Sequence, residues 1–266
     1  MEEFIVYGDT LPEAYHAALC ALQMRGTIED CADWNTRQKE CSITMCVKHP
    51  LQEPMISPCM IGGPKELEQY RQEMLDGILD FEVQKGNWAY TYHDRMVRFP
   101  TTHGVVDQVQ YVIDELRRSP SSRRAVIVIR DVGVDTKNSE PACLQTIQYF
   151  IRDNALHCKV LFRSNDACKA TGMNAFALIM LQSRIADELG IPVGTYTHRA
   201  NSFHAYERDW EMLNRYVDRI MKDGCAAYSY TGEWKEYMDN CDAEIKTMVA
   251  ELKKHYGGPE VEPYEL

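Results

Sequence analysis

The sequence has no surplus of positive charge: 29 Lys and Arg stand against 40 Asp and Glu, for a net charge of -11. That balance argues against broad binding to nucleic acid or to an anionic membrane, because both need Lys and Arg gathered on one face. There is no apolar run long enough to span a bilayer. The first residues, Met1-Glu-Glu-Phe-Ile-Val-Tyr, carry acid where a secretory leader carries base. The expected partners therefore include no nucleic acid and no membrane, and the expected location is cytoplasmic. No Cys-x-x-Cys pair is present, and the ten cysteines are scattered, so they read as reduced thiols and not as a disulfide framework. Neither Cys41 with Cys46 nor His93 with His103 makes the clustered set that zinc needs, so no metal is expected. Gly62-Gly63-Pro64 lacks both the Gly-Lys-Ser/Thr ending of a phosphate loop and the three-glycine dinucleotide pattern, which argues against nucleoside triphosphate or NAD binding by those routes.

What is present is enough apolar sequence, 45% of 266 residues, to bury a large core. One domain over 1–266 is expected, with an irregular tail from about 256 to 266 marked by Gly257, Gly258, Pro259 and Pro263. No internal repeat or low-complexity block appears. Apolar spacing predicts helices from Thr10 to about Met24, from Glu66 to Leu79, from Val105 to Leu116, from Met173 to Leu189 and from Glu207 to Met221. Alternating or continuous β-rich runs predict strands at Cys41–Val47, Ala125–Ile129, after Cys143, at Leu156–Asp166 and near Tyr196–Tyr206. The polar stretch Glu29–Glu40, with Arg37, reads as a basic loop or a solvated turn. Asn87–Arg95 reads as a pocket wall or as a strand with buried Tyr and Trp. A single domain of this size is expected to be α/β or α+β.

Cys143 stands at the mouth of a strand, and Arg163-Ser164-Asn-Asp166 closes the next one. An arginine near a cysteine is a setting in which the thiol pKa falls and a thiolate nucleophile forms. A Cys-His hydrolase is a rival arrangement, with His198 or His204 as base and Asn174 or Asn201 as orienting group, though the local signatures of cysteine-protease families are absent. A buried structural cysteine is a third reading. Arg123 and Arg124, adjacent at a strand start, suit an anion or plain solvent.

Taken in order, Ser121-Ser-Arg123-Arg124, Pro141-Ala-Cys143, Phe162-Arg163-Ser164-Asn-Asp166, Asn174 and His204-Ala-Tyr206 resemble the thymidylate synthase family over about Trp88 to Leu213. Pro-Ala-Cys-Leu with Tyr90-Thr-Tyr-His-Asp-Arg95 upstream looks more like the archaeal, phage and nucleotide-hydroxymethylase branches than the common bacterial enzyme. The resemblance implies an α+β fold with a mixed sheet packed on helices, a sheet-to-sheet homodimer, and 5,10-methylenetetrahydrofolate as one-carbon donor. It implies a pyrimidine nucleoside monophosphate attacked by Cys143, with Tyr90 and Glu68 (or Glu66) as further catalytic candidates. Arg37, Arg163 and Ser164, with the partner's Arg123 and Arg124, would bind phosphate; Asn174 would read the base, His204 and Tyr206 the sugar, and Asp166 the folate. Leu144 stands where a histidine is common and Ala170 where a glycine is, and the chain ends Glu262-Pro-Tyr-Glu-Leu. These departures put hydroxymethylation of C5 slightly ahead of the reductive methylation of a thymidylate synthase proper. A nucleotide-binding homologue without catalysis is a further alternative.

Overall fold

A computed structural model describes residues 1–255; the expected irregular tail lies outside them. The chain runs β1 (Glu3–Gly8), α1 (Leu11–Arg25), β2 (Thr27–Cys31), β3 (Thr36–Val47), α2 (Pro64–Asp76), α3 (Phe81–Gln84), α4 (Tyr92–Val97), β4 (Phe99–Thr101) and β5 (Gly104–Val106). It continues with α5 (Gln108–Arg118), β6 (Val126–Val128), α6 (Val132–Asp135), β7 (Leu144–Arg152), β8 (Ala155–Asp166), α7 (Thr171–Leu189), β9 (Val193–Tyr206), α8 (Trp210–Asp223) and α9 (Lys235–His255).

Local chemistry explains the main boundaries. Thr10 caps α1: its hydroxyl takes the Glu13 N–H while the Glu13 carboxylate takes the Thr10 N–H, the reciprocal arrangement that satisfies two orphan donors. Gly77 ends α2 and Gly190 ends α7, each with positive φ, where a side chain would be strained. Two expectations change. Arg37 is not in a loop, because β2 and β3 pair as a hairpin from Thr27↔Glu40 to Cys31↔Thr36; the stretch from Asn87 is a loop that becomes α4 at Tyr92, so it is a pocket wall and not a strand. The helix expected from Val105 begins at Gln108, after the β4–β5 hairpin and an Asp107 cap.

One mixed sheet has the order β1-β3-β9-β8-β7-β6, with β2 added to β3. The β1–β3 and β8–β9 pairs are parallel and the rest antiparallel. On one face, Ile43, Met45, Tyr196, Val160, Phe162, Ile147 and Ile127 are buried beneath the helices, with α1, α5 and α7 packed on the strands. The opposite face carries Ile5, Tyr7 and Val128 exposed, with Leu161, Phe150 and Thr197 half-buried. No described helix is long and apolar enough to cross a membrane.

Candidate active site

The site lies where β7 and β8 meet the start of α7. Cys143 precedes β7, and its carbonyl accepts the Arg163 N–H at 2.8 Å. The Arg163 side chain then reaches back, Nε to the Ala142 carbonyl at 3.1 Å and Nη2 to the Pro141 carbonyl at 2.7 Å. Its charge draws the thiol pKa down, but burial acts more strongly and Glu140 adds to it, so the Cys143 thiol sits above its ordinary value. The fall expected from an adjacent arginine does not occur, because desolvation of the thiolate outweighs the attraction.

Three tyrosines border the cysteine. The Leu144 N–H donates to the Tyr92 hydroxyl at 3.3 Å, and Tyr90, whose hydroxyl is pushed up to about 12 mainly by burial, lies over Arg95. Tyr70, on α2, accepts from Asn174 Nδ2 and also lies within the electrostatic reach of Cys143. Asn174 is 6% exposed in the first turn of α7. These tyrosines wall a cleft of about 480 Å³, with Trp88, Met74 and Leu79 supplying apolar surface and Glu73 a carboxyl. Burial raises the Glu73 carboxyl, against the pull of the Gln69 amide at 2.8 Å.

On the other side of Cys143, β8 and β9 bring Ser164, Asp166, His204 and Tyr206 together. Ser164 Oγ and Ser202 Oγ are each 3.4 Å from His204 Nδ1, and the His204 and Tyr206 rings meet edge to face at 4.8 Å. Burial lowers the His204 pKa while Asp166 opposes that shift. Asp166 Oδ1 accepts the Cys168 and Lys169 N–H groups at 2.9 and 2.8 Å, bracing the turn into α7.

Other expected residues stand apart. Glu68 lies outside the cleft: Arg71 holds its carboxylate at 2.6 and 2.8 Å, and Gln72 bonds both to it and to Asp242 of α9. Glu66 caps α2 by accepting the Gly63 N–H. Glu73 lines the cleft, as does Glu140 beside Cys143; Glu73 stands three residues after Tyr70 and thus on the same side of α2. Arg37 pairs with Glu207 and stacks on Trp210 at 5.3 Å. Arg123 and Arg124 are exposed before β6, with Arg124 near Glu115 of α5. The hydrolase arrangement is not assembled: His198 is fully buried between Tyr196 and Asn165 and Asn201 bonds to Arg199, while the His204 ring meets Ser164 and Ser202 and the Asn174 amide bonds Asn165 and Tyr70, so neither histidine is oriented by either asparagine beside the thiol.

Among the described residues, His16, Cys59 and Cys225 form a buried group able to hold a metal. Ser57 Oγ already takes His16 Nε2 at 2.6 Å, and the Arg219 charge acts on both His16 and Cys59, which disfavours a cation there.

The family model described as thymidylate synthase matches residues 63–247. A protein of Methanosarcina barkeri named "Putative thymidylate synthase" is 31% identical over 218 residues, covering 81% of this chain and 95% of its own. Another of that name from Methanocaldococcus jannaschii is 36% identical over 167 residues, 60% of this chain and 72% of the relative. On the span of the family model and the coverage of these relatives, the chain belongs to the thymidylate synthase family.

Proposed function

We propose that the protein transfers a one-carbon unit from 5,10-methylenetetrahydrofolate to C5 of a pyrimidine nucleoside monophosphate, acting as a homodimer. The observation that carries this reading is the gathering of Cys143, the Tyr70–Asn174 pair and the Arg163, Ser164, His204 and Tyr206 group around one site. The cleft beside Cys143 has aromatic and apolar walls and about 480 Å³ of space, which fits a flat heteroaromatic ring system. Bound there, the folate supplies a one-carbon unit at the oxidation level of formaldehyde.

The chain's own residues do the rest. Cys143 Sγ, once deprotonated, adds to C6 of the pyrimidine, which makes C5 a carbon nucleophile. Asn174 holds the base edge, His204 and Tyr206 the sugar hydroxyl, and Arg163 with Ser164 the phosphate, assisted by Arg123 and Arg124 of the partner subunit and by Arg37 once it leaves Glu207. Arginine suits this role because its fork makes paired, charge-assisted bonds to phosphate oxygens. Tyr90 orders the wall beside the thiol, and Asp166 faces the folate side of the α7 turn. Glu73 replaces Glu68 as the carboxyl that moves a proton, since it lies in the cleft and burial raises its pKa, which favours the protonated form.

The terminal step is assigned to water, giving a hydroxymethyl group. Reductive methylation is the second reading, favoured by the names of the methanogen relatives. The test is incubation with CMP, dCMP, UMP or dUMP and methylenetetrahydrofolate, reading nucleotide mass and folate absorbance together. A gain of a hydroxymethyl group with tetrahydrofolate released supports the first reading, and a methyl group with dihydrofolate formed supports the second. No gain with any of the four nucleotides would leave a binding protein.

A further inference from the structure

Behind Asn174 runs a chain of buried polar side chains. The Tyr196 hydroxyl is 3.0 Å from His198 Nδ1, His198 Nε2 is 2.9 Å from Asn165 Oδ1, and Asn165 Nδ2 donates to Asn174 Oδ1 at 2.9 Å. Asn174 Nδ2 in turn donates to Tyr70. The Thr171 hydroxyl is 2.9 Å from both Asn165 Oδ1 and the Asp166 carbonyl. Tyr196, His198 and Thr171 are 0% exposed, Asn165 3% and Asn174 6%. No carboxylate or cation is a member, and burial lowers His198 to about 3, so its ring is neutral.

A neutral imidazole has one donor and one acceptor, which gives the chain a direction. With the proton on Nε2, His198 donates to Asn165 Oδ1, the Asn165 amino group donates to Asn174 Oδ1, and Asn174 donates to Tyr70. With the proton on Nδ1, every link reverses: His198 donates to Tyr196, Asn165 donates to His198 and Thr171, Asn174 donates to Asn165, Tyr70 donates to Asn174, and the Thr171 hydroxyl turns to the Asp166 carbonyl. Both polarities keep these contacts with no heavy-atom shift beyond the amide turns, but the first is favoured: with the proton on Nδ1 the buried Tyr196 hydroxyl, which has no second partner among the described residues, accepts and its own proton goes unpaired. Uracil offers a donor at N3 and an acceptor at position 4, whereas cytosine offers the reverse, so the two bases ask opposite polarities of one amide.

We infer that His198 and Asn165 are positioning residues that determine base specificity, because their relay fixes which end of the Asn174 amide donates to the pyrimidine. This rests on the reading that Asn174 faces the base edge. Each amide end spends one bond on the relay and keeps one donor or one lone pair for the ligand.

The test is calorimetric binding of UMP, dUMP, CMP and dCMP to the full chain and to two variants, with thermal melts as the folding check. Asn165→Asp leaves only acceptors at that position and so turns the Asn174 amino group toward it. The uracil-to-cytosine affinity ratio is expected to move at least about tenfold toward the base that the unaltered protein disfavours, since a buried unpaired donor or acceptor discriminates strongly. His198→Phe keeps the ring stacked on Phe162, now 4.7 Å away at 15°, and removes the tautomer; the ratio is expected to narrow toward unity. If Asn165→Asp fails to fold, His198→Phe decides. Folded variants that bind all four nucleotides more weakly with an unchanged ratio would overturn the relay alone. Absence of pyrimidine nucleotide binding by the unaltered protein would overturn the site reading on which it rests.

Discussion

Arg163 donates Nη2 to the Pro141 carbonyl at 2.7 Å and Nε to the Ala142 carbonyl at 3.1 Å, so the cation of β8 is fastened to the two residues that precede Cys143. One side chain thereby sets both the position of the thiol and part of its acidity. The two effects are separable because the thiol responds to charge and the loop to hydrogen bonding.

The first prediction concerns that thiol. Burial holds the Cys143 pKa above its ordinary value and Arg163 opposes the rise. Thiolate is the reactive form, so iodoacetamide labelling of Cys143 should be slow at neutral pH and accelerate as pH rises toward the elevated pKa. Arg163→Met removes the opposing charge, so its labelling profile should move further to alkaline pH. An unchanged or more acidic profile, read by mass spectrometry of the Cys143 peptide, would contradict the assignment of Arg163 as the thiol's electrostatic partner.

A second prediction separates two carboxyls on one helix. Glu73 lines the cleft, whereas Glu68 is held by Arg71 and Gln72 in the seam with α9. Glu73→Gln should lower turnover in the one-carbon transfer assay by about 10²- to 10⁴-fold with little change in nucleotide affinity, the range for loss of a general acid or base. Glu68→Gln should alter melting temperature more than turnover. Equal turnover losses in the two variants would place the proton-moving group elsewhere.

The sequence shows the frame of this molecule more clearly than its site. α7 and β8 are legible because one apolar face repeats along each, and α1 announces itself with Thr10 and Glu13. β2 and the first half of β3 are hidden because the edge strand β2 is mostly exposed and the start of β3, though paired on both sides, is a run of polar residues with no buried face before Cys41, which is why Arg37 reads as a loop residue. The long α9 buries only Met238 and Ile245, too few to mark a stripe. Cys143, Arg163 and His204 come together through motif order, but Glu73 becomes visible only when α2 is set against the Tyr90 loop. Likewise, Asn165 looks like filler between Ser164 and Asp166 until β9 places His198 against it.

The wall of the cleft has a buried electrostatic support, which gives a third prediction. Arg95 lies beneath Tyr90 and pairs with Asp135 at 3.1 Å, with side-chain exposures of 4% and 0%; its other terminal nitrogen donates to the Ile129 carbonyl at 2.9 Å. Asp135→Ala strands a guanidinium in the interior, and chemical denaturation should show a loss of about 3–5 kcal/mol. A loss below about 1 kcal/mol, the scale of an exposed pair, would mean that water reaches Arg95 and that the Tyr90 loop is supported otherwise.

The last prediction tests the assembly in the proposed function. The sheet face bearing Ile5, Tyr7, Val128 and Leu161 is left open by the helices among the described residues, and Arg123 and Arg124 are exposed at its β6 end. If two copies pack through this face and each lends its arginines to the other's phosphate site, Cys143→Ala and the Arg123→Ala/Arg124→Ala double variant should each be inactive alone. Mixing them under exchange places an intact Cys143 and an intact arginine pair in one of the two sites of every mixed dimer. With half the dimers mixed, about a quarter of the original activity should return, as two-fold symmetry requires. Recovery is specific to sharing: an arginine pair that served its own subunit would leave each mixed dimer with a site lacking the cysteine and a site lacking the arginines. No recovery from a mixture shown by mass to contain mixed dimers would place Arg123 and Arg124 outside the partner's site.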